Sequence, residues 1–434
     1  MKRILSAILA LAMMMTFVAC QSGGTDGQNS TTVQNSSTAP AGEPVKLNVW
    51  AWDKNFNGAA LNIADKLYEG AEINMIEMAK ADVLKKLHTI LASGTKEDLP
   101  DIVLVGDLSA PAYFMSYPGA FYDMTNVINY DDFAKYKHQS VSYEGKSYGV
   151  PFDTGVAGMF YRVDYFEEAG YKTEDLQDIT WSDYIEMGKK IKEKGHYLTT
   201  LNPGDLSLFQ IMLQSAGTWY TDAEGKANLT NNEALKECFK VFADLKNSGA
   251  VKLISDWSEY AGAINGGEIA ATVSGGWLAP TIQSEESQKG KWAIAPVPKL
   301  SVQGATNMSS QGGSSWYVLA NAENADTAAD FLKNTFASKP ELYDELLANH
   351  GIMGTYLPAA NVAAYDVVNE FFNNTKINAN FADWLSKVPD VNYGAYSFET
   401  QSILVPAVEK YLNGTDIDKC LEEAQAQLTQ QIGK

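Results

Sequence analysis

Three short apolar runs separated by helical stretches constrain this chain more than any other feature. "VKLNVWAW" reads as a first strand, short, branched and bounded by turn formers. A helix is expected over 58–69, and "EINMIEM" reads as a second strand. "ADVLKKLHTILASG" has helical spacing and ends on Gly94, a residue suited to a left-handed cap. "DIVLVGD" is too short for a helix and apolar in its centre, the pattern of a strand buried in a parallel sheet. This βαβαβ opening commits the chain to an α/β architecture, with helices wrapping a parallel sheet.

Further on, "KSYGVPFDTGVAGMFYRVDYF" predicts two strands interrupted at Pro151. A helical block runs from "WSDYIEMGKKIKEKG" through "LSLFQIMLQSAG" to "NEALKECFKVFADLKNSG". "EIAATVSGG", "WAIAPVP" and "SSWYVLA" return to strand, and the chain is helical from about 398. A chain that regains its opening pattern after a long insert implies two lobes. Crossovers between them are expected near Val150–Thr154, Val297–Ser301 and Thr355–Pro358, each containing or adjoining a proline. Ligands of such sheets bind beyond the carboxyl ends of the strands, where two lobes can share a cleft.

The N-terminus has a different character. Lys2 and Arg3 precede an apolar run from Ile4 to Val18, then Ala19 and Cys20. This is the layout of a secretory signal peptide over 1–19, too short for a comfortable membrane span of roughly 20 apolar residues. "FVAC" resembles the lipobox of bacterial lipoproteins, with Phe17 where that family usually has leucine. The resemblance implies lipidation at Cys20; ordinary secretion with Cys20 as a bystander is the alternative. Residues 20–43 carry too little apolar surface to fold and read as a disordered tether spanning about 25 Å.

Removal of 1–19 leaves 31 basic residues against 53 acidic ones, a net charge of −22. That balance argues against nucleic acid and against adhesion to anionic lipid, both of which need basic patches. Cys238 and Cys420 are the cysteines that follow Cys20, so this is no disulfide scaffold. Two buried free thiols is one reading and a single disulfide the other. His88, His138, His196 and His350 show no metal-ligand spacing, and neither a metal nor any other cofactor is expected. "TDAEGKAN" lacks the calcium-loop pattern and reads as a hairpin turn. Phosphate-loop and nucleophile-elbow motifs are absent.

"GKSYGVPFDTGVAGMFYRVDYFEEAGY" followed by "TWSDYIEMGKKI" resembles the central signature of the extracellular solute-binding proteins of bacterial ABC importers, in the family 1 branch that binds maltose and other oligosaccharides. "DLPDIVLVGD", "GEIAATVSGGW" and "WAIAPVPKL…QGGSSWYVLANAENADTAADFLKNTFASKPE" resemble further stretches of that family, in the same order. The resemblance implies a receptor and not an enzyme. It implies a two-lobed periplasmic-binding-protein-like α/β fold, each lobe a mostly parallel sheet flanked by helices, joined by three hinge crossovers. The lobes expected are 44–151 with 299–356, and 152–298 with 357–434. Implied partners are a carbohydrate, probed in an interlobe cleft, and the permease subunits of a transporter. The protein is expected to be a monomer on the outer face of a cell membrane, held by lipid at Cys20.

A sugar offers apolar C–H faces and a rim of hydroxyls, so its site needs flat aromatic surfaces beside donors and acceptors. "WAWDKN" supplies Trp52, Asp53 and Lys54 after the first strand, and the family places a ligand-contacting acid and base there. Trp52 as a core residue on a helix N-terminal turn is the plainer alternative. Asp107 follows the third strand, as a ligand carboxylate or a helix cap. Asp153 and Thr154 lie on the first crossover. Trp277, behind Gly275-Gly276, matches the family's stacking tryptophan. Gly312 and Gly313 allow close backbone approach, whereas Trp316 is expected inside its strand. Asp205, Trp219, Trp257, Tyr356, Tyr393 and Tyr396 are further candidates, each with a core or surface alternative. The rival class is a secreted glycoside hydrolase, which needs two carboxylates flanking one bond. A receptor for a polyamine or an anion is the rival within binding proteins.

Overall fold

The structure is a computed structural model that describes residues 44–222 and 226–432. The signal peptide, Cys20 and the tether fall outside the described residues.

Strands β1 (Val45–Ala51) and β2 (Ala71–Glu77) pair in parallel, from Val45 with Ala71 to Ala51 with Glu77. β3 (Ile102–Gly106) joins the other side of β1, also in parallel, and is buried throughout. The helices Ala59–Lys66 and Lys80–Ser93 make the connections. The second stops at Gly94, whose φ of 66° closes it in the left-handed cap that its position suggested. A small hairpin, β4 (Ser142–Tyr143) with β5 (Lys146–Ser147), leads into β6 (Gly149–Asp153).

Pro151 lies inside β6 and does not interrupt it. β6 is the edge of its sheet, where the missing N–H costs no ladder bond on the outer side. The break falls three residues later, at Thr154-Gly155, before β7 (Val156–Arg162) opens a second sheet. β7 is buried along its whole length. Its side chains alternate between two cores: Met159 and Tyr161 join Trp181, Tyr184, Phe209 and Phe239, while Val156 and Phe160 join Trp292, Phe372 and Phe381.

The insert contributes helices Trp181–Glu193, Ser207–Ser215 and Glu233–Asn247, and a parallel pair, β8 (Thr199–Leu201) with β9 (Val251–Leu253). Thr180 and Asp183 form a reciprocal capping box at the first of these helices. β10 (Ala271–Gly275), β11 (Trp292–Ala295) and the short β12 (Ser309–Ser310) all pair with β7. β13 (Ser314–Val318) then returns to the first sheet, whose order is β2-β1-β3-β13-β6. Trp316 on β13 is fully buried, beside Phe152 and Phe336 in the first core.

Both sheets are mixed: β1, β2, β3 and β6 of the first share a direction, and the opposed strands are β13 there and β7 in the second. β13 runs antiparallel to both β3 and β6, and every partner of β7 is antiparallel to it. The reason is insertion. β10 and β11 share a direction, but β7 arrives from the first sheet between them and opposed to them; β13 arrives between β3 and β6 in the same way.

The second change of sheet also lies later than the expected Val297–Ser301. β12 still belongs to the second sheet and β13 to the first, so the chain crosses at Gln311–Gly313. The third passage begins near Thr355, where Met353 and Leu357 pack against the second core while Tyr356 and Ala359 stay in the first, and is complete at Phe371 and Phe372 in the second. Cys238 and Cys420 are both free and buried. Helices Ser397–Leu412 and Ile417–Ile432 close the chain.

Candidate functional site

A cavity of about 630 Å³ opens between the two sheets. From the first sheet it is lined by Trp52 after β1, Asp153 at the end of β6 and Ser314 at the start of β13. From the second come Thr272, Val273 and Ser274 of β10 and Trp277 beyond it. The helix Trp257–Asn265 adds Trp257 and Tyr260, and the β8 end adds Thr200 and Asn202. Gly312 and Gly313 of the second crossover form part of the wall.

The aromatic surfaces are held by identifiable contacts. The Trp277 indole N–H donates to the Gln311 carbonyl at 3.0 Å, and 38% of the residue stays exposed. The Trp257 ring, 53% exposed, sits 6.2 Å from it at 38°. Trp52 is half-buried, with the Lys80 ammonium 5.4 Å above its ring. A glycine pair before Trp277 explains its pose: a Cβ on Gly275 would lie 2.2 Å from the indole nitrogen.

The polar groups are similarly fixed. Asp153 Oδ1 accepts from both Ser314 N–H at 2.6 Å and the Ser314 hydroxyl at 2.5 Å. Asp205 Oδ1 accepts from the Ser207 N–H at 2.7 Å and from the Ser207 hydroxyl, at the start of its helix. Asn57 is buried and donates to the Trp52 carbonyl at 2.7 Å, while its Oδ1 has no hydrogen-bond partner among the described residues. The Tyr260 hydroxyl lies 2.7 Å from Thr272 Oγ1, and burial pushes its phenol up to about 12. It is therefore neutral at ordinary pH and keeps both donor and acceptor capacity.

Of the residues picked out from the sequence, Trp52, Asp153, Asp205, Trp277, Gly312 and Gly313 meet in this cavity, with Trp257. The others lie off its wall. Asp53 is exposed and caps the turn Lys54–Gly58, its carboxylate accepting from Asn55 and Phe56 N–H. Lys54 is exposed behind it, its N–H on Glu77. Asp107 is buried beneath Gly313 and paired with Lys137 at 2.6 Å. Burial pushes its carboxyl up, and Lys137 opposes that shift.

Thr154 bonds Tyr136 at 2.8 Å and the Val156 N–H at 2.9 Å, and lines a smaller cavity. Trp219 is a core residue, its indole N–H on Ser397 Oγ at 2.8 Å and its ring edge-on to buried Tyr393. Tyr356 is buried and stacked on Tyr343. Tyr396 is half-buried just before the helix Ser397–Leu412, where the neighbouring Phe398 reaches the cavity wall instead. The smaller cavity, about 320 Å³, shares Phe56 and Trp277 with the main one.

Sequence reasoning missed Asn57, Lys80, Tyr260, Asn202 and Phe398. Asn57 and Lys80 each sit in the first turns after a strand of the opening sheet, a signal present in the sequence. Tyr260 and Phe398 come from helices whose approach to the cavity depends on tertiary packing.

Residues 52–379 match the model of a family described as bacterial extracellular solute-binding proteins. The chain is 40% identical over 402 residues to the lactose-binding protein of Rhizobium radiobacter, covering 92% of this chain and 94% of that one. It is 25% identical over 345 residues to the arabinooligosaccharide-binding protein of Bacillus subtilis (strain 168), 76% of each. Among solved structures, the GacH receptor of Streptomyces glaucescens GLA.O superposes with a TM-score of 0.73 at 18% identity, over 89% of this chain and 98% of that one. The binding protein of B. animalis subsp. lactis Bl-04, in complex with beta-1,6-galactobiose, gives 0.68 at 22% identity, over 89% and 97%. These likenesses extend the α/β periplasmic-binding-protein-like fold across nearly all the described residues. The chain belongs to the bacterial extracellular solute-binding proteins, and is a binding receptor and not an enzyme.

Proposed function

We propose that this receptor captures a short oligosaccharide, with a disaccharide of the lactose type as its smallest ligand, and delivers it to the permease of an ABC importer. The single observation that carries this is the interleaving of Trp52, Trp257 and Trp277 with Asp153, Asp205, Asn57 and Asn202 around one cavity. Indole faces suit the C–H surfaces of a sugar, and carboxylates and amides suit its hydroxyls. The volume of about 630 Å³ falls in the range of small-ligand sites. The 40% identical relative that binds lactose supports the choice of sugar.

Two lobes, one on each sheet, close on the ligand about the crossovers at Thr154-Gly155, Gln311–Gly313 and near Thr355. Periplasmic binding proteins as a class behave in this way. A lipid at Cys20 holds the receptor at the membrane surface within reach of the permease.

Calorimetric titration with lactose, beta-1,6-galactobiose, maltose and an arabino-oligosaccharide tests this. Saturable, stoichiometric binding of lactose without hydrolysis is expected. A sugar present at 100 times its dissociation constant should add about 2.7 kcal/mol to stability. Cleavage of the sugar, or stabilisation by a polyamine in its place, would overturn the proposal.

A further inference from the structure

All three crossovers touch one short stretch of chain. The segment Phe133–Lys137, which enters the helix Lys135–Ser140, is buried at Phe133, Ala134, Tyr136 and Lys137. At the first crossover the Tyr136 hydroxyl meets Thr154 Oγ1 at 2.8 Å. Just beyond the second, the Lys137 ammonium donates to the carbonyl of Ser314, the first residue of β13, at 2.8 Å and to Asp107 at 2.6 Å, and a Cβ on Gly313 of the crossover would stand 3.2 Å from it. At the third the Ala134 N–H donates to the Thr355 carbonyl at 3.2 Å, and Phe133 pairs with Tyr356.

The crossovers are also bonded to each other. Gln311 N–H donates to the Gly155 carbonyl at 2.6 Å, Thr154 N–H to Met353 at 3.0 Å, and Thr355 N–H to Phe152 at 3.0 Å. The cleft groups hang from the same points: Ser314 holds Asp153, and the Gln311 carbonyl holds the Trp277 indole.

We propose that Phe133–Lys137 is the common pivot of the three crossovers, and that Lys137 is the positioning residue that sets Ser314, and through it Asp153, for ligand. The pivot role rests on the reading that the two sheets move as lobes. A lysine with 0% exposure, bonded to a carboxylate and to the first carbonyl of β13, is a costly group to bury. A hydrophobic pair of similar size would fill the space without fixing the Ser314 carbonyl. What the lysine adds is a directed bond to the residue at which the second crossover enters β13.

Amide hydrogen exchange on the sugar-free protein reads the pivot directly. The amides of Thr154, Gln311 and Thr355 report one crossover each. The double variant Lys137→Met with Asp107→Leu removes the ion pair and leaves no unpaired charge. Exchange is expected to quicken about tenfold at all three amides together, a change each amide converts to about 1.4 kcal/mol of opening free energy. Amides of the helix Glu233–Asn247 should keep their rates. Lactose affinity should fall about tenfold at the same time.

Faster exchange at Gln311 alone, or at no crossover, would overturn the pivot. Unaltered lactose affinity with all three amides loosened would overturn the positioning role of Lys137. Should the double variant fail to fold, Tyr136→Phe removes one hydroxyl that faces Thr154 and Ser310, at the first two crossovers. Quickening at Thr355 as well supports the pivot, and a change confined to Thr154 and Gln311 overturns it. Quickening at all three amides of the variant, with a wild-type protein that ignores lactose, would count against the sugar assignment and leave the pivot standing.

Discussion

The indole nitrogen of Trp277 is bonded to the Gln311 carbonyl at 3.0 Å, which ties the stacking surface just beyond β10 to the crossover that joins the two sheets. The same ring borders both cavities. Trp277→Ala should therefore remove ligand contact area while leaving the core intact. Its one hydrogen bond is worth about 1 kcal/mol. Lactose affinity is expected to drop about 10- to 100-fold, comparable with a flat stacking contact of about 1–3 kcal/mol. The sugar-free melting temperature should fall by no more than about 2 °C. Early unfolding with affinity retained would make Trp277 a structural residue.

Gly313 should not tolerate a side chain. Its φ is 103°, and a Cβ would stand 2.5 Å from Asp107 Oδ2 and 3.2 Å from the Lys137 ammonium. Gly304 has a similar φ of 86° with open space around it, and so measures backbone strain alone. Gly313→Ala is expected to cost about 1–3 kcal/mol more than Gly304→Ala in chemical denaturation. Equal costs would show that the buried ion pair yields easily.

Asp53 and Asp153 should separate cleanly. Asp53→Ala removes a cap and places alanine at a φ of 55°, so stability should fall by about 1 kcal/mol or somewhat more. Asp53→Asn, which can cap and tolerates that φ, should recover most of it. Lactose titration should show both variants within about twofold of wild type, whereas Asp153→Asn weakens binding clearly. A large loss of affinity in Asp53→Asn would return Asp53 to the site.

Alkaline stability follows from buried phenols. Burial pushes Tyr113 and Tyr260 up to about 12 from the ordinary value of 10.0. Between these values the unfolded chain releases protons that the folded chain keeps. Stability is thus fully present below pH 10 and declines as pH rises toward 12. Denaturation midpoints measured across this window should fall, and fall less steeply in Tyr260→Phe. A flat profile would contradict the burial of these rings.

Cys20→Ala should abolish incorporation of labelled fatty acid and leave the protein uncleaved or shed. Equal labelling of variant and wild type would remove Cys20 as the point of attachment.

Local pattern made much of the fold legible. The alternation of apolar runs with helical spacing located β1, β2, β3 and their helices, and Gly94 marked a helix end because only a left-handed cap suits it there. Strand direction was not legible, because β7 and β13 gain their neighbours from distant parts of the chain. For the same reason the second crossover was placed too early: β12 is two residues long and carries no pattern of its own.

Within the site, Trp277 and Asp153 were legible from the glycine pair and the proline beside them. Trp219 and Asp107 were not, because an aromatic or a carboxylate reads alike in sequence whether it faces a cleft or a buried partner. Ser397 and Lys137, which decide those cases, lie 178 and 30 residues away.

Pro151 bears on more than the shape of its strand. A sheet edge is a template on which a foreign chain can add itself, and long regular edges invite fibrous association. β6 is such an edge, and at Pro151 it offers an incoming strand no N–H to bond. Beyond it, Phe152 and Asp153 are already engaged by Thr355 and Gly354. This margin of the first sheet is built to refuse an added strand.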